Sequence, residues 1–302
     1  MTHEAVPARQ MLRSVIRARR EQMLTCEVRV AAVVPLSERF TRVVLQGDGL
    51  GRYRDGRPAD AFKLHLPGAP HVPVPLPDYD ESGRLRWPTD APRPLARCFT
   101  VRESDPDRGR LSFDALVHPE GATAQWLAAV DAGDRLSLTG MRTEFVDPAE
   151  TARHLLIGDA SAIPAIGSIV AGVSPLKPVT VVLDAPRVDA DLLPAHPRLD
   201  LRWADGRRLV EVVRALRSVE GPRTQVWVGA EATQVHDVRR HLHQLGVHPD
   251  ALHASAYWKR DQDWEAMFDE SLERFVVATN VGLDTSDPGI LQRLTFDPGP
   301  IG

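Results

Sequence analysis

Cysteine and lysine are both scarce in this chain of 302 residues. The two cysteines, Cys26 and Cys98, are too few for a disulfide framework or a four-cysteine metal site. Three of the 37 basic residues are lysines, namely Lys63, Lys177 and Lys259. The sequence therefore excludes a small fold held together by disulfides, and we expect a reducing, cytoplasmic location.

Neither a strong positive charge nor a membrane-spanning segment is present. The 37 basic and 41 acidic residues give a net charge of −4, unlike the basic balance of most nucleic-acid-binding domains. The best candidate for a membrane span, residues 155–173, contains Asp159 and Pro164, and an unpaired carboxylate is costly in lipid. We therefore expect no nucleic-acid binding and no membrane insertion, and we interpret 155–173 as a buried strand, a turn and a helix.

The first half of the sequence is typical of an antiparallel β domain. Runs rich in β-branched and apolar residues lie at 26–34, 40–45, 61–66, 97–102, 110–117 and 135–139. A helix is predicted at 122–130, and eight prolines between residues 67 and 94 indicate a loop. Closely spaced strands with few helices favour an antiparallel barrel or sandwich.

The second half alternates short strands with segments of helical length. The predicted strands lie at 154–157, 178–183, 199–203, 224–228 and 252–257. The predicted helices lie at 162–173, 209–218 and 232–245. This alternation predicts βαβ units and a parallel sheet.

Four segments follow from these patterns. Residues 1–24 form a basic amphipathic helix on the surface of the first domain, and 25–147 form the β-barrel. Residues 148–262 form the α/β domain, after a polar, proline-containing boundary near 142–153. Residues 263–302 contain a helix at 264–276 and then a flexible tail.

The predicted strand at 97–102 carries the sequence Arg-Cys-Phe-Thr-Val-Arg. It resembles the R-x-Y-T-x-R motif of the siderophore-interacting proteins, a family of FAD-dependent ferric-siderophore reductases in the ferredoxin–NADP reductase superfamily. The resemblance implies that Arg97 neutralises the FAD pyrophosphate and that Phe99 covers the isoalloxazine ring, beside Val101. It also implies a hydrogen bond from Thr100 near flavin N5, where hydride arrives, which makes Thr100 the expected catalytic residue.

A second motif begins sixteen residues further on, at 118–126 (HPEGATAQW). It is similar to the family's H-x-x-G-P-A-S-x-W segment, with alanine replacing the proline and the serine. A glycine turn that opens a helix presents free backbone N–H groups to a phosphate. The resemblance implies that the FAD site includes His118, Gly121, Ala122, Thr123 and Ala124.

The α/β half begins with a strand and turn, 155–165 (LLIGDASAIPA), that resembles the family's G-D-E-T-A-L-P-A segment. Alanine stands where the family usually has glutamate. The later WVGAE sequence, 227–231, resembles the family's W-x-G-E. The resemblance implies that NAD(P)H docks on Asp159, Ala160, Ser161, Ala162 and Glu231, and reduced ferredoxin stays open as an alternative donor.

Three basic residues complete the expected site. Lys63 lies on a barrel strand, Arg142 at the exit of the barrel, and Lys259 in the sequence Tyr-Trp-Lys-Arg, which resembles the family's G-Y-W-R-x-G ending. In the family, basic residues at matching places line an open pocket beside the flavin. The resemblance implies that these three residues attract anionic ferric siderophores.

Metal binding by the protein itself is not expected. The histidines near the end of the α/β half, at 241, 243, 248 and 253, have spacings that point to different faces or fall in turns. The iron that the family resemblance implies is bound by the siderophore, which is the substrate.

The hypothesis from the sequence is thus a reductase that passes electrons from NAD(P)H through FAD to Fe(III) in a siderophore. A flavin-dependent oxidoreductase of a biosynthetic pathway and a non-enzymatic siderophore binder are the alternatives on the same scaffold. Arg187 and Arg207 lie in loops after the second and third strands of the α/β half and could meet a 2′-phosphate, but with 34 arginines in the chain this placement decides nothing. The choice between NADH and NADPH stays open.

Overall fold

The computed structural model describes residues 8–19, 23–79, 85–88, 93–117, 121–216, 223–260, 277–278 and 281–283. His118 and the predicted helix at 264–276 lie outside the described residues. In the described part of the chain, no helix has the length and apolar character that crossing a membrane requires.

The first half forms one curved antiparallel sheet with two helices. Its elements are α1 (Ala8–Arg19), β1 (Leu24–Pro35), β2 (Phe40–Gln46), β3 (Ala61–Leu66), β4 (Asp78–Tyr79), β5 (Leu85–Arg86), β6 (Leu95–Thr100), β7 (Glu103–Asp105), β8 (Arg110–Leu116), α2 (Ala122–Ala129) and β9 (Arg135–Arg142). The strand order is β6-β3-β9-β1-β2-β8-β7, and β4 and β5 form a separate short pair within the predicted proline-rich loop.

The chain itself links the two edge strands of this sheet. β6 and β7 follow one another in sequence, and residues 101 and 102 lie between them. The N–H of Val101 donates to the carbonyl of Asp60 beside β3, and the N–H of Arg102 donates to the carbonyl of Ser112 on β8, both at 2.8 Å. The predicted antiparallel barrel is confirmed as a half-barrel whose open side is crossed by this connection.

The second half forms a parallel sheet, as predicted. Its elements are β10 (Arg153–Asp159), α3 (Ile163–Gly172), β11 (Val179–Asp184), β12 (Leu199–Trp203), α4 (Leu209–Arg214), β13 (Thr224–Glu231), α5 (Ala232–Gln244) and β14 (Leu252–Trp258). The order is β12-β11-β10-β13-β14, with every neighbouring pair parallel. Helix α4 ends at Arg214, four residues before the end predicted from the sequence.

The two halves share a hydrophobic core. Phe40, Ala59 and Phe145 come from the first half, and they pack in one buried cluster with side chains of α3 such as Ile163 and Ile166. Burying a large apolar side chain fully, relative to leaving it in water, contributes about 1.5–3 kcal/mol to the free energy of folding. This shared packing therefore stabilises the arrangement of the two halves.

Helix α1 contacts both halves, whereas the sequence suggested a helix on the first domain. At its beginning, Ala8 packs against Ala251 of the second half. At its end, Arg19 forms an ion pair at 2.9 Å with the fully buried Asp60, which also accepts a hydrogen bond at 2.7 Å from the hydroxyl of Tyr53. The helix therefore bridges the α/β domain and the half-barrel.

Candidate functional site

Strand β6 distributes the flavin-motif residues over its two faces. β6 pairs with β3 so that Phe99 lies opposite Phe62, and Cys98 lies opposite Lys63. The ring of Phe99 is half-buried and its centroid lies 4.3 Å from that of Phe113 in the barrel core. Because side chains alternate along a strand, Arg97 shares the face of Phe99, and Thr100 shares the face of Cys98.

Arg97 has the donors that a phosphate requires. Its Nη1 donates to the carbonyl of Ala96 at 2.8 Å, and among the described residues no carboxylate forms an ion pair with it. A guanidinium carries five N–H donors, so most of them are available to a bound anion. This position fits the expected contact with the FAD pyrophosphate.

Thr100 and Val101, near the end of the motif, are more deeply buried than Arg97. Thr100 is buried, and the N–H of Val101 is already used in the hydrogen bond to Asp60. Asp60 is the same residue that pairs with Arg19 of α1. Helix α1 thereby supports the end of the flavin-motif strand, a connection that nothing in the sequence pattern indicates.

The second motif lies at the beginning of α2. Gly121 is the N-cap, with φ of +142° and no side-chain cap, and Ala122, Thr123 and Ala124 form the first turn. Among the described residues, no atom lies within 4 Å of the place where a Cβ of Gly121 would be. Uncapped N–H groups beside open space suit a phosphate, so these residues fit the FAD that the motif implies.

The turn after β10 uses its polar groups within the protein. One oxygen of Asp159 accepts the N–H of Ser161 at 2.9 Å, and the other accepts Nε1 of Trp258 and the N–H of Glu231, each at 2.8 Å. Burial raises the pKa of Asp159, although these hydrogen bonds oppose the rise. The N–H groups of Ser161 and Ile163 are bonded locally, so these two donors are already used within the protein.

Close packing explains the small residues of this turn. A Cβ on Gly158 would lie 2.8 Å from the carbonyl oxygen of Gly229 and 2.6 Å from the Cβ of Ala162. Ala160 and Ala162 are buried in a short 3-10 turn between β10 and α3. The sequence between 158 and 162 therefore meets a packing requirement where β10, β13 and α3 approach each other.

Glu231 caps a helix. Its Oε2 accepts the N–H of Thr233 at 2.8 Å at the beginning of α5, and its Oε1 accepts the N–H of Arg260 at 3.3 Å. Burial raises the pKa of Glu231, but these hydrogen bonds outweigh it and lower the pKa below the ordinary value. The side chain joins α5 to the segment that carries Lys259.

Two of the three predicted basic residues lie together on the outer face of the half-barrel. Ala61 of β3 pairs with Arg142, and Lys63 on the same face pairs with Cys98. Burial lowers the pKa of Lys63, and the charge of Arg142 lowers it further. Thr100 shares this face, so the expected catalytic hydroxyl and two of the cations are neighbours.

The third basic residue, Lys259, is exposed directly after β14. Two residues before it is Tyr257, whose pKa is raised by burial and by the negative charge of Glu144, the ion-pair partner of Arg142. The end of β14 therefore lies near the charges of Arg142 and Glu144.

Sequence reasoning missed two features. Glu144 is buried between Arg142 and His253, which are 111 residues apart, and no motif marks it. A cavity of about 350 Å³ lies at the carboxyl ends of β11 and β12, lined by Arg187, Trp203 and Arg207 among others. The two arginines were noted in the sequence, but the cavity depends on how strands and helices pack.

The chain matches sequence models of two domains. The model described as the siderophore-interacting FAD-binding domain matches residues 29–145, and the model described as siderophore-interacting protein matches residues 151–261. These ranges coincide with the half-barrel and with the α/β half.

Two proteins of similar sequence and one solved structure illustrate how much of this chain its relatives share. The NADPH-dependent ferric-chelate reductase of Escherichia coli is 29% identical over 77% of this chain and 92% of that protein. The mycobactin import ATP-binding/permease protein IrtA of Mycobacterium tuberculosis is 31% identical over 54% of this chain. The chain spans 20% of the length of IrtA. A crystal structure of a siderophore utilization protein from T. fusca has a TM-score of 0.70 and 25% identity, covering 80% of this chain and 95% of that one.

The motifs on β6 and α2, the half-barrel followed by a parallel sheet, and the two adjoining domain matches agree with one another. The chain belongs to the siderophore-interacting protein family.

Proposed function

We propose that this protein is an FAD-dependent reductase that takes electrons from NAD(P)H and reduces Fe(III) in an anionic siderophore. The observation that carries the proposal is the shared face of β3, β6 and β9. Thr100, Lys63 and Arg142 lie there together, so an anionic acceptor drawn to the cations would approach the flavin-motif strand. The ferric-chelate reductase activity named for the E. coli relative supports the same assignment.

Each proposed role uses chemistry that the residues possess. Bound FAD supplies the conversion of a two-electron hydride into single electrons. Arg97 and the N–H groups at the beginning of α2 hold its phosphates, and Phe99 gives the ring an apolar contact. Lys63, Arg142 and Lys259 bind the acceptor by charge, and the protein needs no iron ligand of its own, because Fe(II) leaves hard oxygen donors more readily than Fe(III).

The test is an anaerobic cycle with the full chain. We expect a yellow protein that is bleached by NADPH or NADH and whose colour returns with a ferric tris-catecholate, while a ferrous-specific chelator reports Fe(II). A protein that stays colourless after incubation with FAD would favour the non-enzymatic binder. Bleaching by the nicotinamide without reoxidation by ferric chelates would favour the biosynthetic oxidoreductase.

We further propose that NADPH is the donor. The cavity at the carboxyl ends of β11 and β12 supports this, because ligands of parallel α/β sheets bind at that edge. Arg187 ion-pairs with Asp205 at 2.8 Å and lies over the ring of Trp203. Arg207 donates to the carbonyls of Ala204 and Trp203, at 3.1 Å and 3.2 Å. Both guanidiniums retain donors for a 2′-phosphate.

The double variant Arg187→Ala, Arg207→Ala tests the donor. We expect KM for NADPH to rise about 10- to 100-fold, because charged hydrogen bonds contribute about 1.5–3 kcal/mol. KM for NADH should change little, because NADH lacks the 2′-phosphate. Rapid-mixing measurements of flavin reduction give both values, with Arg198→Ala as the control at the opposite end of β12. Equal losses with the two nicotinamides would contradict the assignment.

A further inference from the structure

Arg142 reaches its face of the half-barrel through a β-bulge. β9 pairs with β3 so that Phe62 faces Gly140 and Ala61 faces Arg142, which leaves Met141 as an extra residue. Gly140 has φ of +121° and Met141 has φ of +89°, an unusual conformation for a residue with a side chain. Bulges of this kind redirect the side chains that follow them.

The extra residue decides which face Arg142 occupies. Leu138 points into the barrel core, and regular alternation would send position 142 to that same core face. The bulge instead turns Met141 into the core and sends Arg142 to the face of Lys63. Without the bulge, the guanidinium would be directed toward apolar side chains and away from the proposed acceptor site.

A buried carboxylate then holds the redirected side chain. Arg142 is 59% exposed, whereas Glu144, with which Nη2 of Arg142 forms an ion pair, is 4% exposed. Nε2 of His253 on β14 donates to the other oxygen of Glu144 at 2.7 Å. Glu144 therefore connects the end of the half-barrel strand to the edge of the parallel sheet.

Glu144 acts as a constant negative charge. Burial raises its pKa, but the charge of Arg142 and the hydrogen bond from His253 outweigh burial and lower the pKa to about 2. The carboxylate is therefore ionised throughout the neutral range, and it is not a proton donor there. Its contribution to an anion-binding site is to orient the cation that it contacts.

We propose that Glu144 is a positioning residue of the acceptor site, holding the Arg142 guanidinium beside Lys63 where an anionic ferric chelate binds. The proposal rests on the proposed function. An exposed arginine samples many rotamers, and binding an anion would normally freeze one of them at a cost in affinity. A buried partner that orders the side chain beforehand reduces that cost.

The direction in which Glu144→Gln changes the affinity for an anion separates a positioning role from a simple effect of charge. Glu144→Gln removes a negative charge from beneath the cations, and this alone would strengthen the binding of an anion. Loss of positioning weakens the binding. We expect the weakening to prevail, with the Kd of the gallium(III) complex of a tris-catecholate rising about 3- to 5-fold. Gallium(III) has the charge of Fe(III) but is not reduced here, so calorimetric titration measures binding without turnover.

A double-mutant cycle shows whether Glu144 acts through Arg142. We expect Arg142→Gln to weaken binding about 5-fold, which corresponds to about 1 kcal/mol. In that background Glu144→Gln should cause no further loss and a slight gain, because only its negative charge is then removed. In turnover with the ferric complex, the single Glu144→Gln variant should raise KM and leave kcat unchanged. Asp147→Asn is the matched control, because Asp147 is another carboxylate near the domain boundary, and it accepts from Nζ of Lys177 at 2.7 Å.

His253→Asn separates positioning from a role in joining the domains. It removes the bond to the parallel sheet while the Glu144–Arg142 pair remains, so we expect gallium-chelate binding within about 2-fold of wild type. A loss with His253→Asn as large as with Glu144→Gln would show that the bridge between domains matters instead. If FAD content and thermal unfolding show that Glu144→Gln fails to fold, Glu144→Asp takes its place, because it keeps the charge and draws the carboxylate away from Arg142. Unchanged binding by Glu144→Asp would then contradict positioning.

The outcomes distinguish this proposal from the proposed function. Suppose that the wild-type protein binds the gallium chelate and reduces the ferric chelate, but Glu144→Gln binds the gallium chelate equally or more tightly. This result overturns the positioning role and leaves the proposed function intact. Losses that add in the double variant also overturn the positioning role. Wild-type protein that neither binds the gallium chelate nor reduces the ferric one overturns the proposed function, and positioning with it.

Discussion

Replacing Lys63, Arg142 and Lys259 together by alanine is expected to lower kcat/KM toward an anionic ferric siderophore about 10- to 100-fold. We assign each of the three charges about 0.5–1 kcal/mol at low salt, judging from exposed ion pairs. The cations act on the encounter with the acceptor, so the rate of flavin reduction by the nicotinamide should hardly change. Steady-state kinetics with the chelate and rapid mixing with the nicotinamide measure the two steps separately.

Ionic strength and acceptor charge are the controls for this triple variant. The difference from wild type should shrink as salt rises, because screening already weakens the field of the wild-type site. Reduction of a neutral quinone should be almost unaffected. A triple alanine variant at Arg108, Arg198 and Arg240, three exposed arginines elsewhere, should retain wild-type kinetics. Equal losses with the chelate and the quinone would mean that the three residues support the fold or the flavin.

Arg97→Ala is expected to fold and to purify largely without flavin. The guanidinium has no carboxylate partner among the described residues, so its removal leaves no buried acid unpaired. A charge-assisted contact with the pyrophosphate is worth about 1.5–3 kcal/mol, which corresponds to a rise of about 10- to 100-fold in the Kd of FAD. Flavin absorbance after purification and titration of the apoprotein with FAD measure the effect.

The control for Arg97→Ala is Arg110→Ala, which removes an exposed arginine from β8 of the same half-barrel. Both variants should keep the melting behaviour of the wild-type apoprotein. If Arg97→Ala retained wild-type FAD affinity, the assignment of the β6 motif as the pyrophosphate site would be wrong.

Local patterns were sufficient to predict most strands and helices. The β-branched and apolar residues of 26–34 predict a strand, and β1 covers Leu24–Pro35, with alternating burial from Leu24 to Val30. The apolar run 178–183 similarly corresponds to β11, which is almost wholly buried between neighbours. In each case the signal lies within a few residues, and the surrounding packing agrees with it.

The features that the sequence did not reveal depend on partners far along the chain. Met141 lies beyond the strand predicted at 135–139, and its bulge is visible only in the register between β9 and β3. The contact between Glu144 and His253 joins positions 109 residues apart. The role of α1 is similar, because its amphipathic pattern predicts a buried face without indicating that two different domains cover it.

The buried seam formed by Phe40, Ala59, Phe145 and α3 makes this chain a poor subject for domain exchange. A chimera joined at the polar boundary near 142–153 would combine aromatic side chains from one parent with an α3 surface shaped by another. A cavity or an overpacked contact in such a core costs about 1–5 kcal/mol, a large part of the roughly 5–15 kcal/mol that stabilises a typical protein. Recombination of halves between family members would therefore have to transfer positions 40, 59 and 145 together with the helix that they contact.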